Sequence, residues 1–178
     1  MREKFIDVFP RLIDVALGRL KADILIRDCT LVNVFTGELQ EHVDIAVKDG
    51  FIALVGAGGD LVGSETKIID GKNLYAAPGF MDGHVHVESS MVTFSEFSKI
   101  ALIHGTTSIF ADPHEIANVL GVDGLKMILD EIKRIPLRVF ICVPSCVPAS
   151  IPEFETAGAE LSAEDVEEIL SWPESIAL

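Results

Sequence analysis

The residues best placed to do chemistry lie between Pro78 and Ser90, in the run Pro-Gly-Phe-Met-Asp-Gly-His84-Val-His86-Val-Glu88-Ser89-Ser90. On a strand, side chains two residues apart point to the same face, so His84 and His86 present two imidazoles to one point. Neutral imidazole suits a divalent metal. The competing reading is a pair of hydrogen-bonded core histidines. A second group, Asp112-Pro113-His114-Glu115, follows directly on the apolar segment Thr106 to Ala111. His114 and Glu115 suit substrate contact or proton handling, whereas Asp112 reads equally well as a turn or helix-capping residue. Glu88 is placed either to orient a ligating histidine or simply to sit in the turn. A third stretch, Val143 to Pro148, holds Ser145 and Cys146 and invites a nucleophile reading. No base stands at a fixed spacing from either, and three prolines in nine residues make a rigid loop the better reading.

These groups need elements that bring them together. Phe5, Val8, Phe9, Leu12, Ala16 and Leu20 recur every three or four residues, which predicts an amphipathic helix over 4–20 with Pro10 near its start. Its polar face carries both charge signs, so it reads as a packing helix rather than a membrane-surface one. From Ala22 to Ala77 the pattern changes to short β-rich segments at 23–27, 30–34, 42–47 and 51–55. Asp49-Gly50 is a hairpin signal, and Gly56, Gly58 and Gly59 read as a turn rather than a nucleotide loop. After Pro78 strands alternate with helices. Strands are expected at 80–87, 106–111, 137–143 and from 175. Helices are expected at 93–103, opened by the box Thr93-x-x-Glu96, at 122–134, and after Ser162. Such alternation implies a parallel sheet or a β/α barrel, with reactive groups at the carboxyl ends of its strands.

Composition sets the outer limits. The chain has 178 residues, 49% of them hydrophobic and 24% charged, with a mean hydropathy of +0.40. A disordered tail is excluded. A formal charge of −14 without a basic stripe argues against nucleic acid as a partner. Cys29, Cys142 and Cys146 are odd in number and lack C-x-x-C spacing, as expected of reduced thiols in a cytoplasmic protein. Seven charged residues among the first twenty leave no signal-peptide core. The longest uncharged run, Val139 to Pro152, is too short and too rich in proline to span a membrane.

The run from Pro78 to His86 resembles the metal-binding opening of the amidohydrolase superfamily of metal-dependent hydrolases. Three stretches, His86-Val-Glu88-Ser89-Ser90-Met91, Asp112-Pro-His114-Glu115-Ile-Ala-Asn118 and Pro144-Ser-Cys146-Val-Pro148-Ala, are similar in order to its adenine deaminase branch. The resemblance implies an α/β fold. An amino-terminal helix (1–21) and a small β-sandwich segment (22–78) would precede the first three to four strand–helix units of a β/α barrel (79–178). It implies hydrolysis of adenine to hypoxanthine and ammonia through a metal-activated hydroxide, with a binuclear manganese or iron centre. His84 and His86 would be ligands of the first metal, His114 and Glu115 catalytic neighbours, and Glu88, Ser89 and Asp112 substrate contacts. The partner would be a purine base.

The family's remaining ligands and main acid–base group would fall beyond Leu178. The chain alone is therefore expected to be an inactive portion, needing a carboxyl-terminal part or a homo-oligomer. A barrel takes roughly 250 residues, which also accounts for the apolar surplus here. Two alternatives stand beside this one: an amidohydrolase for another cyclic amide or amidine, and a non-catalytic assembly module.

Overall fold

A computed structural model describes residues 4–151 and 153–178. Residues 1–3 of the expected amino-terminal segment, and Pro152 of the proline-rich loop, lie outside the described residues. The chain divides into two units, Met1–Pro78 and Gly79–Leu178.

The first unit opens with helix α1, Phe5–Ala16, which buries Val8, Leu12 and Val15. It stops earlier than the 4–20 periodicity suggests. Gly18 adopts φ +73°, and the amides of Arg19 and Leu20 turn back onto the Asp14 carbonyl. Strand β1, Ile24–Asn33, is one strand where two were expected. Asp28 takes φ +58° in its middle and bulges the ladder between Ile26 and Leu31, so the sequence pattern breaks while the strand continues. Antiparallel β2, Glu38–Lys48, and β3, Phe51–Gly56, follow. Their hairpin turns at Asp49 and Gly50, both at positive φ. Two further strands, β4 (Lys67–Asp70) and β5 (Tyr75–Ala76), pair in parallel with β1 and complete a five-stranded sheet. Leu25, Ala46, Leu61 and Val15 pack together as its main core.

The second unit holds the chemistry. Strands β6 (Phe80–Val85), β7 (Thr106–Ala111), β8 (Arg138–Cys142) and β9 (Ser175–Ala177) form a parallel sheet in sequence order. Gly79 passes so close to Thr107 that an added Cβ would lie 2.1 Å from its Oγ1. Between the strands run α2 (Phe94–Ile103), α3 (His114–Ile132) and α4 (Ala163–Leu170). The expected caps are present: Thr93 accepts from the Glu96 amide, and Ser162 and Asp165 bond reciprocally. Helix α3 begins eight residues before the expected 122. Gly121, at φ 59° and ψ −139°, interrupts it, so the stripe Leu125, Ile128 and Ile132 marks only its second half. The core lies on the helix-facing side of this sheet, where Ile109, Ala111, Val139 and Ile141 pack with Val87, Phe94, Ile128, Ile132 and Leu137.

One polar tie joins α2 to α3. The Ser95 amide donates to Glu131 Oε1 at 2.8 Å. Burial pushes the Glu131 carboxyl up, but hydrogen bonds from Ser95, Thr93 and Phe94 more than offset it, leaving it below the ordinary glutamate value. A depressed folded value means the stabilisation is fully present above about pH 4.5 and is lost as pH falls through the folded value. The Glu131→Gln chain is therefore expected to lose less stability than the parent between roughly pH 5 and pH 3. Acid titrations of Trp172 fluorescence check this; parallel slopes for the two chains would refute it.

Candidate metal centre

The carboxyl end of β6 delivers the histidine pair. His84 lies within the strand and His86 just past it, and their Nε2 atoms stand 3.1 Å apart with ring planes at 82°. His86 Nδ1 donates to the main-chain carbonyl of Asp112 at 2.8 Å. That bond leaves the Nε2 lone pair directed at the site, as a metal ligand requires. The Asp112 carboxylate at the end of β7 joins them: one donor atom from each of His84, His86 and Asp112 lies within 4.8 Å of the others. Two imidazoles and a carboxylate fit a divalent ion.

Asp112 does not cap α3. Pro113 occupies the cap position without a side-chain bond, and both Asp112 carboxylate oxygens face His114 Nδ1, at 2.9 and 3.1 Å. His114 Nε2 in turn lies 3.2 Å from the Cys146 carbonyl oxygen and 3.4 Å from its sulfur. Burial lowers the affinity of this ring for a proton. The Cys146 carbonyl and the Asp112 carboxylate outweigh that and hold its pKa above the ordinary histidine value.

Glu115, next along α3, accepts from the Ser89 hydroxyl through Oε1, and its Oε2 stands 3.6 Å from His86 Nδ1. Glu88 accepts the Ile116 amide at 3.4 Å and makes no bond to a histidine; the Asp112 main chain, not Glu88, orients His86. Burial pushes the Glu88 carboxyl up, and the neighbouring Glu115 charge adds to this. Glu88 Oε2, Glu115 Oε2 and Asn118 Oδ1 are all buried without a hydrogen-bond partner. Two histidines stand elsewhere: His42 bonds Asp28 in the first unit, and His104 closes α2.

The sequence pointed to no partner for Cys146, yet the fold brings His114 Nε2 to 3.4 Å from its sulfur. His114 and Cys146 are 32 residues apart and meet because each follows the end of adjacent strands, β7 and β8. The usable signal was positional. Residues just past consecutive parallel strands share one mouth.

The Amidohydrolase family profile matches residues 75–172, more than half of the chain. The chain belongs to the amidohydrolase family. Within it, adenine deaminase 3 of Rhizobium meliloti (strain 1021) is 49% identical over 179 residues, covering 100% of this chain and 30% of that relative. The adenine deaminase of Moorella thermoacetica is 53% identical over 172 residues, covering 97% of this chain and 28% of the relative. This amidohydrolase chain thus spans about 30% of the length of the curated relatives it matches.

Solved structures agree on the amidohydrolase fold. An N-acyl-D-glutamate deacylase from Bordetella bronchiseptica, complexed with zinc and a phosphonate inhibitor, aligns with a TM-score of 0.54 at 20% identity. It covers 71% of this chain and 30% of that one. Molinate hydrolase aligns at 0.51 and 22% identity, covering 69% of this chain and 30% of that one.

Proposed function

We propose that this chain is the part of an adenine deaminase that carries the first metal ligands and one wall of the base-binding mouth. The observation that carries this reading is the convergence of His84, His86 and Asp112 in a chain 49% and 53% identical to proteins named adenine deaminase. That identity favours the adenine reading over an amidohydrolase for another cyclic amide and over an assembly module. The net reaction is adenine plus water to hypoxanthine plus ammonia, a purine-salvage step in the cytoplasm. His84, His86 and Asp112 would hold the ion, and a divalent ion supplies Lewis acidity and lowers the pKa of water. A binuclear manganese or iron centre needs further donors, which the remainder of a full-length relative, or a second copy, would bring.

This chain's own residues supply positioning and proton handling. The Asp112 main-chain carbonyl fixes the His86 tautomer, and its carboxylate fixes the His114 ring. His114 holds a proton between Asp112 and Cys146 at the same strand ends, within the mouth where an amine must be protonated to depart. Glu115, clamped by Ser89, keeps one buried oxygen without a donor. An N–H of a purine ring satisfies it, and Glu88 lines the same side.

The test combines the purified chain with the carboxyl-terminal remainder of the Moorella relative and manganese, and measures ammonia release from adenine. Ammonia and hypoxanthine in equal amounts are expected from the mixture and from neither part alone. Turnover by the chain alone would overturn the division of the centre. Inactivity of a mixture that binds manganese would overturn the substrate.

A further inference from the structure

We propose that His114 and Cys146 form a second metal site, for a thiophilic ion such as zinc, separate from the His84–His86 pair. Donor geometry alone supports this site, independently of the adenine reading. Zinc holds a thiolate sulfur at about 2.3 Å and an imidazole nitrogen at about 2.0–2.1 Å, so at a tetrahedral angle the two donors stand roughly 3.5 Å apart. Cys146 Sγ and His114 Nε2 are 3.4 Å apart. The Cys146 carbonyl oxygen, 3.2 Å from the same nitrogen, offers a third donor on the same side. Water completes the coordination, because Cys146 is exposed.

The surroundings of the ring are those of a ligating histidine. A histidine bound to zinc usually gives its other N–H to a carboxylate, which fixes the tautomer and raises the basicity of the coordinating nitrogen. His114 Nδ1 does this with Asp112 at 2.9 Å. The sulfur is equally well placed. Val143, Pro144 and Val147 are buried on either side of Cys146, so the loop after β8 is anchored while its thiol faces out toward the ring.

Binding exchanges the thiol proton for the ion: the proton leaves Sγ, and metal–sulfur and metal–nitrogen bonds form, the latter through the Nε2 lone pair of the imidazole whose Nδ1–H faces Asp112. Thiolate with imidazole selects zinc over manganese or magnesium, whereas two imidazoles with a carboxylate accept harder ions. The two sites therefore differ in the metal they prefer. An ion at the second would also occupy the His114 nitrogen that faces the mouth, making excess zinc an inhibitor of whatever reaction uses His114.

Cobalt serves as the spectroscopic stand-in for zinc. The full chain titrated with cobalt is expected to take up two equivalents and to show the near-ultraviolet charge-transfer absorption of a thiolate ligand. In Cys146→Ala that absorption disappears, one equivalent remains, and zinc affinity at the lost site falls on the order of 100-fold. The double variant His84→Asn, His86→Asn keeps the absorption, and so does Cys142→Ala. A parent chain without the absorption, or a Cys146→Ala chain that retains it, overturns the proposal. Loss of both equivalents in Cys146→Ala, with an unchanged far-ultraviolet circular dichroism spectrum, would likewise overturn it by showing one shared centre.

Discussion

Replacing His86 by asparagine is expected to weaken manganese binding by the chain on the order of 100-fold or more, as read by calorimetric titration. His84 and His86 bring their Nε2 atoms to 3.1 Å, and Asp112 adds a carboxylate. Without His86, one exposed imidazole and one carboxylate remain, and Asp112 is already engaged by His114. Loss of a group that only orients a ligand costs roughly 10–100-fold, so loss of a ligand costs at least as much. The fold should tolerate the change, since the His86 side chain is 37% exposed and the asparagine amide can still donate to the Asp112 carbonyl. His42→Asn, in the first unit, is the control and should bind manganese as the parent does. Undiminished affinity in His86→Asn would place the ion elsewhere.

The histidine pair was legible because a strand repeats every two residues, so H-x-H converges wherever it sits on one. The position of Asp112 at a strand end was legible for a similar reason, but its partner was not. The spacing gave no hint that its carboxylate would turn to His114 rather than to the helix amides. The contact of His114 with Cys146 depends on the pairing of β7 with β8, a long-range event that no local pattern encodes. Among the strands, β4 and β5 leave no mark in the sequence pattern, because they have four and two residues and all but Ala76 are exposed. The single β1 looked like two strands because Asp28 reverses φ without ending the ladder. Helix α3 looked short because Asp-Pro-His-Glu reads as a loop and Gly121 breaks the helical period. The apolar surplus is visible on the surface, where Phe35, Met91, Ile103, Phe154 and Phe80 are all largely exposed. Hydrophobic content alone therefore overstated the core of these 178 residues.

Ile141→Ala carries the largest expected cost in stability, about 2–5 kcal/mol. Ile141 is fully buried on β8, opposite Ala111 of β7 and Ser175 of β9. Its side chain belongs to the cluster that includes Ile109, Val139 and Ile128. Alanine removes three carbon atoms there. The small Ala111 on the neighbouring strand cannot close the gap, so the lost transfer energy and the cavity term add. Ile176→Ala on β9 is the matched comparison: Ile176 is 52% exposed, and its truncation should stay within about 0.5 kcal/mol. The chain has one tryptophan, Trp172, packed against this same cluster, so its fluorescence in urea reports the second unit without contribution from the first. Equal midpoints for the two variants would mean that β8 is not the centre of the sheet. A large shift for Ile141→Ala should also lower cobalt binding at Cys146, because the loop that presents the thiol starts where β8 ends.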